Sequence, residues 1–263
     1  MCRFFLALST RPFTTKHLKP VLWTTSHAFF KQCYTLPYNP EEKENKRNLP
    51  YNLDGFGLGF YTSSTPKIYT SVKMPWNDKN LPTILDALYT KVFLAHLRSI
   101  GFQKFSCSLG LPVHPYNCHP FVFGPFMFCH NGVVEAFFTG KGRKAIVTRI
   151  KDTYLLQIQG TTDSEYLFAL LLTFWESYPG IEAFLKVLDF LLELDASLIL
   201  CLNCVFLTPS EAYILRYINR KEDKPPSLYL KKEEGPCLCF SSEPLEFEES
   251  WTLLKPSSGI KVN

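Results

Sequence analysis

The chain has 263 residues, 46% of them hydrophobic and 20% charged, with 28 basic against 24 acidic side chains for a formal net charge of +4. That length can bury a sizeable core, and the composition excludes a disordered tail. So small and dispersed a charge does not argue for nucleic acid, and the nine cysteines are odd in number with no signal peptide before them, so they read as buried thiols in a reducing, cytoplasmic setting.

In chain order, Met1 to Leu8 is an apolar run that predicts a buried strand. Residues 37–54 are charged and bounded by proline, which predicts an exposed loop. Within it, Lys43, Lys46 and Arg47 are mixed with Glu41, Glu42 and Glu44, a solvated surface rather than a basic stripe. From Gly55 to Tyr61 glycine alternates with apolar residues, so a strand here has one face without side chains. Packing of that bare face against the strand of Cys2 is the expected use, since a phosphate loop would need a following helix and a lysine.

Lys91–Leu97 predicts another strand, and Phe126–Cys129 a third that ends in a turn at Asn131-Gly132. The uncharged stretch from Phe105 to Ala136 carries too many glycines and prolines for a membrane helix. Thr162 and Glu165 have capping-box spacing ahead of a helix bearing Leu167, Leu170, Leu171 and Phe174. A second helix carries Ile181, Phe184, Leu185, Leu188, Leu191 and Leu192 as one stripe. Residues 198–207, 212–218, 228–230 and 237–241 then read as successive strands, with a turn at Thr208–Glu211. No linker divides the chain, so one α+β domain over 2–263 is expected.

Cys2 stands where removal of Met1 would expose it. A thiol and a free α-amine would then share one Cα, and an amine with an unperturbed pKa of about 7.7–8.0 can serve as base for its own nucleophile. From its position alone, Cys2 is better explained as a small buried residue at a strand start. His96, His114, His119 and His130 have no standard metal-ligand spacing, so no metal is expected. Cys201/Cys204 and Cys237/Cys239 lie in apolar strand-like segments and read as buried thiols.

Six segments occur in register: Cys2-Arg3, Asp54–Tyr61, Phe93–Arg98, Asn117–Phe121, His130–Gly132 and Gly160–Glu165. Together they resemble the class II glutamine amidotransferases, N-terminal-nucleophile hydrolases with an αββα four-layer sandwich of two antiparallel sheets between helical layers. Ser26-His27, Lys31-Gln32, Trp76 with Asn80-Leu81, Pro225–Tyr229 and Ser241–Leu245 resemble its glutathione-degradation branch in particular. Cys33 stands where serine is expected in that branch.

The resemblance implies that Cys2 attacks a γ-glutamyl amide and that Asn131 and Gly132 supply the oxyanion hole. It also implies that Arg98 grips the substrate α-carboxylate, Asp163 its α-ammonium, and that His119 organises the pocket wall. Without it, Asn131-Gly132 reads as a turn, Arg98 as a surface side chain and Asp163 as a helix-capping acid. No cofactor is implied. Expected partners are a small γ-glutamyl substrate and a metallopeptidase-like subunit, with neither nucleic acid nor membrane. Because the sequence holds no synthase region after the amidase-like segments, hydrolysis of glutamine, glutathione or a related compound is expected. A non-catalytic binding or regulatory subunit is the alternative. Residues 35–53 and 100–112 are expected to rim the pocket.

Overall fold

Strand β1 (Arg3–Thr14) begins one residue after Cys2 and is the longest strand of the protein's computed structural model. The structure describes residues 2–35, 52–100, 112–220, 225–232, 237–246 and 250–263. Most of the 37–54 loop and of the 100–112 rim lies outside them. The part of that loop that is described departs from expectation: Asn52 is buried, its side-chain amide donating to the Gln32 carbonyl.

The remaining strands are β2 (Phe56–Thr62), β3 (Thr65–Ser71), β4 (Tyr89–Leu97), β5 (Phe121–Phe123), β6 (Phe126–Val134), β7 (Leu200–Leu207), β8 (Ala212–Ile218), β9 (Tyr229–Lys232), β10 (Cys237–Ser241), β11 (Thr252–Leu253) and β12 (Ser258–Val262). They form a seven-stranded sheet in the order β11-β9-β10-β1-β4-β2-β3 and a five-stranded sheet in the order β12-β8-β7-β6-β5. All these pairings are antiparallel.

Side chains alternate across each strand, so each sheet feeds two layers. Phe4, Leu6 and Leu8 of β1 meet Met127 and Cys129 of β6 and Val205 and Leu207 of β7 in the layer between the sheets. Phe5 and Ala7 face the other way, onto Phe29, Phe30, Leu81 and Leu85. The outer cover there is α1 (Leu81–Ala87) and short helical turns such as Phe29–Cys33. Over the five-stranded sheet lie α2 (Gly140–Arg149), α4 (Asp163–Trp175) and α5 (Ile181–Leu194), with the one-turn α3 (Asp152–Leu155) beside them. The protein thus has the αββα layering that the sequence resemblance implied.

α4 starts as the sequence predicts, with Thr162 Oγ1 accepting the Glu165 N–H at 3.2 Å. The box is not reciprocal: the Glu165 carboxylate instead accepts the N–H groups of Gln159 and Gly160 at 3.0 and 2.7 Å. The apolar stripe of α5 is rotated from the expected one. Ala183, Phe184, Val187, Leu188 and Leu191 are buried, whereas Ile181 and Leu185 are more than half exposed. The helix touches the core along an arc centred on Val187, so not every leucine can reach it.

Two further expectations are corrected. Asn131-Gly132 is no turn: β6 runs on to Val134, with Asn131 opposite Asn203 and Gly132 opposite Leu202 of β7. A Cβ on Gly132 would lie 1.9 Å from the Cys201 carbonyl oxygen, so glycine is there for close strand packing. The bare face of β2 does not meet the strand of Cys2, because β4 lies between them. It receives residues 118–120 and Met127: a Cβ on Gly57 would lie 2.1 Å from the His119 carbonyl oxygen, and Cys118 and Met127 crowd Gly55 and Gly59. Six described cysteines are buried and Cys2 and Cys237 are half-buried, all as free thiols. Among the described residues no helix is long and apolar enough to cross a membrane.

Candidate active site

Alternation places the chemistry. Cys2 lies two residues before Phe4, His96 two after Leu94 and Asn131 two after Cys129, and all three anchors belong to the layer between the sheets. Cys2, His96 and Asn131 therefore share that layer, at one end of the sandwich. Arg3 pairs with Leu97, which brings Cys2 beside Arg98 on the neighbouring strand.

The Cys2 thiol is clasped by backbone. Sγ accepts the Ser99 N–H at 3.2 Å and lies 3.4 Å from the Ser99 carbonyl oxygen. Burial pushes the thiol pKa up, while the Ser99 hydrogen bond and the Arg98 and Arg3 cations oppose that push. At neutral pH the sulfur keeps its proton, so attack requires a base.

Arg98 is buried, and among the described residues its guanidinium reaches only backbone oxygens, Asp54 at 3.4 Å and Pro112 at 3.3 Å. No carboxylate side chain pairs with it among the described residues. A desolvated guanidinium with donors to spare is a site for an incoming carboxylate. Asp54, whose Oδ2 accepts the Ile100 N–H at 2.6 Å, holds the chain just after Arg98.

On β6 the Asn131 side chain is buried and its Nδ2 finds no partner among the described residues. The backbone beside it is open too. Val134 N–H points away from β7, because Asp163 Oδ2 accepts it at 2.9 Å, and N–H directions alternate along a strand. The Gly132 N–H therefore points to that same free edge, past the end of β5, which pairs only with residues 126–128. Two donors, one side chain and one backbone, thus sit on adjacent residues. Asp163, the first residue of α4, is delivered to this edge two residues beyond Gly132.

His119 lies deeper. Its ring lies tilted against those of His96, 4.3 Å away, and Phe121, 4.5 Å away, and none of the four nitrogens of His96 and His119 has a partner among the described residues. Burial drives both imidazoles to the neutral form, with the Arg98 charge acting in the same direction; His96 falls to about 3 and His119 well below its usual value. His130 faces the helices instead, with Nδ1 2.9 Å from Ser164 Oγ and Nε2 3.1 Å from the Cys201 carbonyl. Among the described residues no three histidines, cysteines or acids form a metal-holding group.

Sequence reasoning singled out the side chains but missed the backbone of Ser99, which follows Arg98 directly. It also gave no role to Asn117. The side chain of Asn117 ties the pocket wall to the start of α4 by donating to the Pro112 carbonyl and Thr161 Oγ1 and accepting the Thr161 N–H at 2.8 Å.

No family model matches the chain. It is 27% identical to "Probable glutamine amidotransferase DUG3" of Saccharomyces cerevisiae, over 100% of this chain and 82% of that protein. A segment covering 32% of the chain is 31% identical to "Gamma-glutamyl-hercynylcysteine sulfoxide hydrolase" of Mycobacterium tuberculosis, over 33% of that protein. A glutamine aminotransferase class-II domain protein of Silicibacter pomeroyi superposes with a TM-score of 0.66 at 21% identity, over 99% of this chain and 94% of that one. The glutamine phosphoribosylpyrophosphate amidotransferase of B. subtilis shares the fold with a TM-score of 0.59 at 13% identity, over 100% of this chain and 47% of that one. Similarity along the whole length and a shared two-sheet architecture agree: the chain resembles a glutamine amidotransferase throughout and has the fold of the class II glutamine amidotransferase domains.

Proposed function

We propose that the protein hydrolyses a γ-glutamyl amide bond through a thioester on Cys2, made N-terminal by removal of Met1. The observation that carries this reading is the buried Nδ2 of Asn131, without a partner among the described residues, in the same layer as a Cys2 thiol that backbone already holds. A buried donor left unpaired costs about 1–3 kcal/mol, and such a cost is repaid where the donor meets charge that appears only during reaction.

In this scheme the Cys2 amine takes the thiol proton and sulfur attacks the γ-carbonyl carbon. The carbonyl oxygen becomes an oxyanion facing Asn131 Nδ2 and the Gly132 N–H. The C–N bond then breaks, the amine-held proton passes to the leaving nitrogen, and a thioester remains. Water attacks that thioester with the amine as base, which releases a γ-carboxylate and restores the thiol. Arg98 and Asp163 hold the α-carboxylate and α-ammonium of the glutamyl group, which selects γ-linked glutamate over internal peptide bonds. His119, its ring tilted against that of His96, forms the inner wall. The names of the sequence relatives, an amidotransferase and a γ-glutamyl hydrolase, support this substrate class.

The test is release of glutamate from glutamine, glutathione and a γ-glutamyl anilide by the purified protein. Release that vanishes in Cys2→Ala supports the reading. Absence of release from all three overturns it in favour of a binding subunit.

A further inference from the structure

A buried ion network at the start of β1 plays no part in the scheme above. Arg3 Nε lies 2.7 Å from Glu243 Oε1, Arg3 Nη2 pairs with the same oxygen, and His27 Nε2 lies 2.6 Å from Oε2. A carboxylate only accepts, so His27 Nε2 carries the proton. All three residues are at least 95% buried. Desolvating such a group costs about as much as its pairing returns, so stability alone is a weak reason for it.

Its geometry supplies a better one. Arg3 Nη1 donates to the Cys2 carbonyl oxygen at 3.2 Å. The Phe4 N–H donates to Ser242 Oγ at 2.9 Å, and the Phe4 carbonyl accepts the Ser242 N–H at 3.0 Å. Both backbone groups of Phe4 thus face the segment after β10. Two residues earlier, those of Cys2 face the same side. The Cys2 nitrogen therefore looks toward the Glu243 segment, while its thiol looks into the layer between the sheets.

We propose that the Arg3–Glu243–His27 network positions Cys2 by its carbonyl and sets the charge that its amine meets. This rests on the reading of Cys2 as an N-terminal nucleophile. Among the described residues, the other charged or titratable groups that act on Cys2 are Arg98 from β4, Cys129 from β6 and Cys118 from the turn before β5, and His96 of β4 faces the same layer. Arg98 supplies a cation on the thiol side. Glu243 is the acid on the amine side, and Arg3 balances it. Arg3 and Glu243 are positioning residues: they act on the reaction only through Cys2.

The experiment measures the rate of Cys2 alkylation by 6-diazo-5-oxo-norleucine against pH, with intact mass confirming loss of Met1 in each variant. Glu243→Gln removes a negative charge from beside Arg3, so the acid limb moves to lower pH by about one unit. Arg3→Met removes a positive charge from beside Glu243, and the limb moves by a similar amount to higher pH. A merely structural role lowers the rate of both without opposite displacements. If either variant fails to fold, two milder ones decide. Arg3→Lys keeps the charge but not the fork, and His27→Asn keeps both charges; each is expected to hold the midpoint and lose about tenfold in rate, and unchanged rates overturn the inference. A wild-type protein that takes no label defeats the nucleophile reading itself. Normal wild-type labelling with coincident profiles for Glu243→Gln and Arg3→Met defeats only the role of the network.

Discussion

Asp163 Oδ2 accepts the Val134 N–H at 2.9 Å, so the first residue of α4 is moored to the free edge of β6 two residues beyond Gly132. One carboxylate therefore both fixes the helix to the strand and places a negative charge beside the open backbone donors. Asp163→Asn keeps an acceptor for Val134 and removes the charge. Its expected effect is a KM for the γ-glutamyl substrate raised at least tenfold, with a midpoint of thermal unfolding close to wild type. Asp163→Ala loses the mooring as well and is expected to cost about 1 kcal/mol of stability, read by denaturant titration.

Asn131→Ala should separate activity from stability. Loss of an oxyanion donor lowers kcat by about 10²–10³-fold. Because Nδ2 has no partner among the described residues, its removal also lifts a desolvation cost that offsets the small cavity left behind. Unfolding free energy is expected to change by less than about 1 kcal/mol while kcat collapses. A large fall in stability with kcat preserved contradicts the assignment.

Gly57→Ala should do the reverse. The added Cβ would meet the His119 carbonyl oxygen at 2.1 Å, and backbone there cannot rotate away as a side chain would. The expected cost is about 3 kcal/mol or more, seen as insoluble expression or a strongly lowered unfolding midpoint. Gly124, which has open space around its Cβ position, gives no steric clash, though its positive φ of 56° adds some strain of its own.

The His96–His119 pair predicts acid sensitivity. Both imidazoles have folded pKa values below the usual 6.5, that of His96 at about 3. Below pH 6.5 the unfolded chain binds protons that the folded one refuses. Their contribution is thus present above that pH and lost as pH falls toward the folded values. Each histidine can steepen the loss by up to about a factor of ten in the unfolding constant per pH unit. Denaturant titrations at pH 7, 6, 5 and 4 should show this slope, and His96→Gln should reduce it. A variant with the wild-type slope contradicts the prediction.

How far these features were legible follows from the range of the forces involved. Apolar alternation marked β1, β2, β4, β7, β8 and β10, and Thr162 marked the start of α4, because those signals lie within a few residues. Asn131-Gly132 misled because its local turn preference yields to pairing with β7, and the requirement for glycine there comes from Cys201, far away in sequence. The face of α5 was misplaced because which leucines reach the core depends on the helix's seat on the sheet. Motifs singled out the side chains of the candidate site. Ser99 acts through its backbone and Glu243 through a partner 240 residues away, so although Glu243 lies in the Ser241–Leu245 motif, neither role leaves a local signature. α2 escaped notice because its sequence, Gly-Lys-Gly-Arg-Lys-Ala-Ile-Val-Thr-Arg, carries little apolar periodicity.

The most direct test of the account is the intact mass of the purified protein before and after treatment with 6-diazo-5-oxo-norleucine. The account predicts a chain lacking Met1 that gains one adduct, mapped to Cys2 and suppressed by a competing γ-glutamyl compound. A chain that retains Met1, or that has lost it and takes no label at Cys2, would contradict it.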